Sequence, residues 1–197
     1  MRLRDDRGQA VTEVVLILPF LLVLLLGIVE LATALNTALT IGAATREGAR
    51  VAGALVNGGG TLGCGSDQSP NASTVDPLVV AAIERVLTAS GAQITLAEVS
   101  AIRIYKATAS GAETPDFVNQ WAYLADGGPL IAGERLDFVE QSNPWPACGR
   151  SNVSPADSAG ITVRYTYRGR TPLRLFIPGL ASLNMTDSTV MPLNASR

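Results

Sequence analysis

A chain of 197 residues with 47% hydrophobic and only 16% charged residues is too apolar and too weakly charged for intrinsic disorder, and its net charge of −2 gives no basic field for nucleic acid. It holds no histidine and two cysteines. Histidine-dependent triads, histidine-ligated zinc and four-cysteine metal sites are excluded, and no cofactor motif replaces them.

The chain opens MRLRDDRGQAVTE, a short charged leader that ends in Gly8. Gln9 to Thr12 and a lone Glu13 follow before an apolar run. Cleavage after Gly8 would make Glu13 the fifth residue of the product. The arrangement resembles class III (type IV pilin-like) signal peptides, in which a prepilin peptidase removes the basic leader and leaves the apolar helix in place. A carboxylate at the bilayer edge is costly unless paired, and a new α-amino group on Gln9 of a neighbouring subunit would supply the partner. The other account of Glu13 is an acidic residue favoured at a helix start by the macrodipole, with no processing.

Val14 to Val29 read VVLILPFLLVLLLGIV, with no charge and no hydrogen-bonding side chain, fenced by Glu13 and Glu30. Leu31, Leu35 and Leu39 continue the apolar pattern at four-residue spacing. A transmembrane helix is expected from about Val14 to Leu35, provided Glu30 lies near the interface or meets a partner. Arg2, Arg4 and Arg7 before the run, against Arg46 and Arg50 after it, lean towards a cytoplasmic N-terminus. Cys64 and Cys148 suit an oxidising side for the remainder, which has one lysine, Lys106. The expected topology is N-in, C-out in the cytoplasmic (inner) membrane. An ordinary cleaved signal peptide is the competing reading, but its apolar region is shorter and is followed by a cleavage site rather than a continuing helical pattern.

Pro19 should kink or loosen this helix, and Gly27 offers a point of close approach. Ala34, Ala38 and Gly42 repeat every four residues, as do Ala44, Gly48 and Ala52. Such stripes let helices pack closely, so helix–helix assembly is expected, against the simpler account of an alanine-rich helix. Glu47 and Arg50 can pair across one turn, which leaves Arg46 to find another partner.

Residues 7–53 read RGQAVTEVVLILPFLLVLLLGIVELATALNTALTIGAATREGARVAG. The stretch resembles the TadE-like family of pilus-assembly proteins associated with Flp (tight-adherence) pili. The matching elements are Arg7-Gly8, Ala10 and Glu13, then Pro19, then Gly27-Ile28-Val29-Glu30, and finally Ala44-Thr45-Arg46-Glu47-Gly48-Ala49-Arg50. Val14 and Leu31 depart from the aromatic or small residues that the family often carries after the two glutamates. The resemblance implies a pilin-like membrane protein of a pilus assembly or secretion system, whose partners are other pilin-like subunits.

The helix is expected to end before Asn57-Gly58-Gly59-Gly60. Gly58, Gly60 and Gly63 formally satisfy a dinucleotide fingerprint but follow a helix rather than a strand, so 57–75 reads as a flexible linker. A second helix is expected from Asp76-Pro77, with Asp76 as cap and Leu78, Val79, Ala82, Ile83, Val86 and Leu87 on one face, stopped by Ser90-Gly91. Strands are expected over Val99–Thr108, through the alternation of Ile161, Val163, Tyr165 and Tyr167, and over Asn184–Met191. Gly127 to Pro155 read as long loops. The expected organisation is a leader at 1–8, a pilin-like helix at 9–56, the linker, and an extracytoplasmic α+β domain with an antiparallel sheet at 76–197.

A bond between Cys64 and Cys148 would close a long loop and contribute about 4–5 kcal/mol on the chain-entropy model. Glu134, Asp137 and Glu140, spaced by three, suggest a solvated helix face. Arg164, Arg168, Arg170 and Arg174 beside two tyrosines suggest an exposed strand face, or a patch for anionic polymers or lipids. Scattered acids form no catalytic motif, so the chain is not expected to be an enzyme. The alternative to pilin-like assembly is a single-pass, membrane-anchored extracytoplasmic module that binds a surface polymer or an exported protein.

Overall fold

The computed structural model describes residues 6–55, 72–152, 154–175, 177, 179 and 182–193. The architecture is α+β: two long helices, α1 (Asp6–Leu55) and α2 (Ala72–Leu87), precede an antiparallel sheet. The strands are β1 (Val99–Ala107), β2 (Glu113–Tyr123), β3 (Leu130–Ile131), β4 (Glu134–Arg135), β5 (Phe138–Ser142), β6 (Ser158–Arg168) and β7 (Ser182–Pro192). β5, β2, β1, β6 and β7 neighbour one another in that order, while β3 and β4 form a separate hairpin. The chain divides into two units, one of 1–35 with 168–183 and one of 36–167 with 184–197.

In the first unit, α1 passes through Pro19 without interruption. Every residue from Val11 to Leu25 is exposed, and Leu16, Phe20 and Val14 leave 78%, 72% and 61% of their surface uncovered. A soluble core helix would bury such residues. Val11 to Val29 make roughly 28 Å of helix at about 1.5 Å per residue, close to the hydrocarbon thickness of a bilayer. The segment Arg168–Leu183 completes this unit, with a short 3-10 turn at Pro172–Leu175.

In the second unit, β1 pairs antiparallel with β2 (Ile102 opposite Trp121) and with β6 (Ile102 opposite Val163, Ile104 opposite Ile161). Ile161, Val163, Tyr165 and Tyr167 are buried as expected, with Arg164 and Arg168 exposed between and after them, but Thr162 on the opposite face is also buried, so the strand alternates only from Val163 onward. Gly160 lies opposite Tyr105, and a methyl there would stand 2.1 Å from Tyr105 Cζ, so this strand position must be glycine for the ring to cross it. The face of α2 is buried at Val79, Ala82, Ile83 and Leu87, while Leu78 and Val86 are half-buried.

Several expectations are corrected. α2 begins by Ala72, so 72–75 are helical rather than linker, and Pro77 lies inside the helix. Asp76 is not a cap; it is buried within the helix, where an arginine neutralises it. Glu134, Asp137 and Glu140 do not share a helix: Glu134 is in β4, Glu140 in β5 and Asp137 between them. The stretch 127–155 holds three strands as well as loops. β2 and β5 have no clean alternation in sequence because their exposed and buried positions do not follow a strict period of two. The glycines at 58, 60 and 63 lie outside the described residues, as does Cys64.

Candidate functional site: the N-terminal helix and its intrachain partners

Glu30 is the one acid that follows the apolar run directly, and it is 4% exposed. Its carboxylate accepts hydrogen bonds from the backbone N–H of Arg170 at 3.1 Å to each oxygen and from the N–H of Thr171 at 2.8 Å. These donors stand at the entry to the 3-10 turn Pro172–Leu175, where backbone N–H groups have no helical acceptor. A charged acceptor facing N–H donors is a strong arrangement when buried. The partner that Glu30 requires is therefore supplied by its own chain. One turn earlier, a methyl on half-buried Gly27 would be 4.0 Å from Leu173 Cδ1, an ordinary contact, so the same segment also lies beside Gly27.

The motif Ala44–Arg50 divides by helix periodicity. Ala44, Thr45, Gly48 and Ala49 are buried, and Ala52 and Gly53 extend that face by a turn. A methyl on Gly48 would stand 2.7 Å from Ile83 Cγ1 and 3.4 Å from Ile161 Cγ2, which brings α1, α2 and β6 together at that point. Thr45 Oγ1 donates to Asp187 and lies 3.0 Å from Thr189 Oγ1, both on β7. The small residues thus let α1 lie on its own sheet. On the outer side Arg50 grips Glu47 with Nε and Nη2 at 2.8 and 2.6 Å. Arg46 is exposed and forms no ion pair among the described residues. Of the first stripe, Ala34 is half-buried, Ala38 exposed and Gly42 buried. Leu31, Leu35 and Leu39 keep 62%, 56% and 70% of their surface exposed on the helix.

Gly8 and Gln9 fall within α1, and Glu13 is exposed. Cys148 sits in a 3-10 turn at Ala147–Gly149, and no free cysteine occurs among the described residues. Arg164, Arg168, Arg170 and Arg174 are all exposed, with Arg174 Nη1 donating to the Gly169 carbonyl at 3.2 Å.

A second buried polar cluster holds the sheet unit together. Arg150 and Asp76 form an ion pair at 2.7 Å, with Arg150 fully buried. Asn119 on β2 donates to Asp76 and to the Trp145 carbonyl at 2.7 Å each, and accepts from the Trp145 N–H at 2.8 Å. The Arg150 guanidinium lies 4.5 Å over the Trp145 ring. The cluster fastens the loop after β5 to α2 and β2 and presents no reactive group to solvent.

Sequence reading missed Arg170, Thr171, Asp187 and Thr189 as partners of the helix. The first two act through backbone N–H groups, which every residue but proline possesses, so no side-chain pattern marks them. No curated protein and no solved structure matches the chain. Residues 8–50, from the leader glycine to the last arginine of the motif, match the family model described as TadE-like protein, and the N-terminal helix of this chain is a TadE-like segment.

Proposed function

We propose that the chain is a membrane-anchored, pilin-like component of a Flp/Tad-type pilus assembly or secretion system. The observation that carries the reading is a TadE-like segment whose apolar helix is left uncovered among the described residues. Such a surface is stable in lipid or against other apolar helices, and not in water. The helix spans the inner membrane once, N-in and C-out, and the sheet unit is extracytoplasmic.

Assembly uses the exposed face of the helix. Ala44, Gly48 and Ala52 are occupied by the chain's own sheet unit, so the contact with other subunits falls to Leu31, Leu35, Leu39 and the apolar run before Glu30. A prepilin peptidase cleaves after Gly8, and Glu13 pairs with the new amine of Gln9 on a neighbour. Cys64 and Cys148 form a disulfide, consistent with the absence of a free thiol among the described residues. The protein acts by assembly rather than catalysis.

N-terminal sequencing and intact mass of protein extracted from membranes test the processing. The expected chain begins at Gln9, and Gly8→Ala prevents the cut. A chain that begins at Met1 and ignores Gly8→Ala removes the leader and Glu13 from the mechanism. Protein that is recovered without detergent from the aqueous fraction overturns the anchor itself.

A further inference from the structure

The segment 168–183 has a chemistry that the assembly reading does not use. Leu175 and Ile177 leave 76% and 45% of their surface exposed, and Leu183 leaves 51%. Arg170 and Arg174 are exposed among them. Apolar residues interleaved with arginine suit the boundary between lipid acyl chains and phosphates, where arginine reaches to the headgroups.

Position along α1 supplies the second observation. Glu30 marks the end of the uncharged run, and Gly27 lies about 4.5 Å deeper at about 1.5 Å per residue. The Leu173 side chain lies 4.0 Å from where a methyl on Gly27 would stand, so the turn packs beside the apolar helix over the stretch from Gly27 to Glu30. Non-helical backbone at that depth is costly unless its polar groups are satisfied. Four of its N–H groups are: Glu30 takes those of Arg170 and Thr171, Arg174 N–H donates to the Thr171 carbonyl at 3.3 Å, and Ile177 N–H donates to the Leu173 carbonyl at 2.9 Å.

We propose that Arg170, Arg174, Leu175 and Ile177 form a lipid-contacting face, seated in the leaflet on the C-terminal side of the span, with Leu175 and Ile177 among acyl chains and Arg170 and Arg174 at lipid phosphates. The inference rests on the membrane-spanning reading of Val11–Val29. The helix up to Leu35 and the segment of these residues belong to the same unit.

The test uses full-length protein in vesicles of phosphatidylcholine and phosphatidylglycerol that carry doxyl-labelled lipid. Trp121 and Trp145 are 1% and 2% exposed, so wild-type emission gives the baseline. Leu175→Trp adds a probe at an exposed position that tolerates the ring, and Val23→Trp adds one in the middle of the span. Leu175→Trp is expected to lose much of its added emission to lipid labelled near the headgroup and less to lipid labelled at the chain end. Val23→Trp should show the opposite order. If Leu175→Trp emits at the wavelength of water-exposed tryptophan and is not quenched, while Val23→Trp is, the loop does not touch lipid and its apolar face belongs to a protein partner. If neither is quenched, the membrane-spanning reading falls first and the loop proposal falls with it.

Discussion

The carboxylate of Glu30 and the backbone N–H of Thr171 are 2.8 Å apart although 141 positions separate them in the chain. An acid at the end of an apolar helix is thereby tied to a turn that enters and leaves the sheet. Removal of the carboxylate leaves two N–H groups at a buried site without their acceptor. Glu30→Ala should destabilise the segment by about 2–6 kcal/mol, from roughly 1–3 kcal/mol for each of the two unsatisfied groups. Trypsin should then cut after Arg170 and Arg174 faster than in the wild type, with Glu30→Gln intermediate because it keeps one acceptor oxygen. Unchanged cleavage would show that the bond does not hold the segment.

The ion pair of Asp76 and Arg150 is enclosed, so each charge depends on the other. Arg150→Met should lower the stability of the sheet unit by about 3–5 kcal/mol, because Asp76 is left charged and buried. Asp76→Asn in the same background should restore part of that loss. Chemical unfolding in detergent, followed by the combined emission of Trp121 and Trp145, measures both changes.

Gly48 is a packing residue within this chain. Gly48→Ala gains about 1 kcal/mol of helix propensity but forces the fully buried Ile83 side chain to shift, at a cost of about 1–3 kcal/mol. A small net destabilisation is expected, and Gly48→Leu should abolish the fold of the unit. Ile83→Ala should make Gly48→Ala less harmful than it is alone, a departure from additivity that a double-mutant cycle reads. Full additivity would show that the two residues do not meet.

Glu84 Oε2 accepts the Asp137 N–H at 3.2 Å. Burial pushes its carboxyl above the ordinary value; the Asp137 N–H opposes this, and the nearby charges of Asp137, Glu134 and Asp126 add to it. The folded state thus holds the Glu84 proton more tightly than the unfolded state does. The resulting stability is present in full below the unfolded value near 4.3 and is lost as pH rises through the higher folded value. Glu84→Gln should raise the thermal midpoint at pH 7 by a small amount, and the gain should vanish towards pH 4. A gain that is independent of pH would assign the effect to packing instead.

Much of the fold is legible in the order of residues because it depends on local periodicity. The uncharged run from Val14 to Val29 can only be a membrane-length helix or a deeply buried one. The alternation of Ile161 to Tyr167 marks a strand, although the fold also buries Thr162 on its other face. Asp76-Pro77 misleads for the opposite reason: a cap and a buried ion pair use the same residue type, and only Arg150, 74 positions away, distinguishes them. The small-residue stripe at Ala44, Gly48 and Ala52 is equally ambiguous. Periodicity reveals a face made for close approach, and the fold selects which surface approaches.

The sequence by itself determined that this chain has an apolar helix with an acid at each end, since this follows from composition and spacing within one element, and its residues 8–50 carry the resemblance to TadE-like proteins. The tertiary structure alone decided which groups those residues meet. Glu30 faces backbone N–H groups of a distant turn, Thr45 faces Asp187 on β7, and Gly48 faces Ile83 and Ile161. Such pairings bring together residues far apart in the chain, and backbone donors carry no signature of type, so no local pattern could announce them.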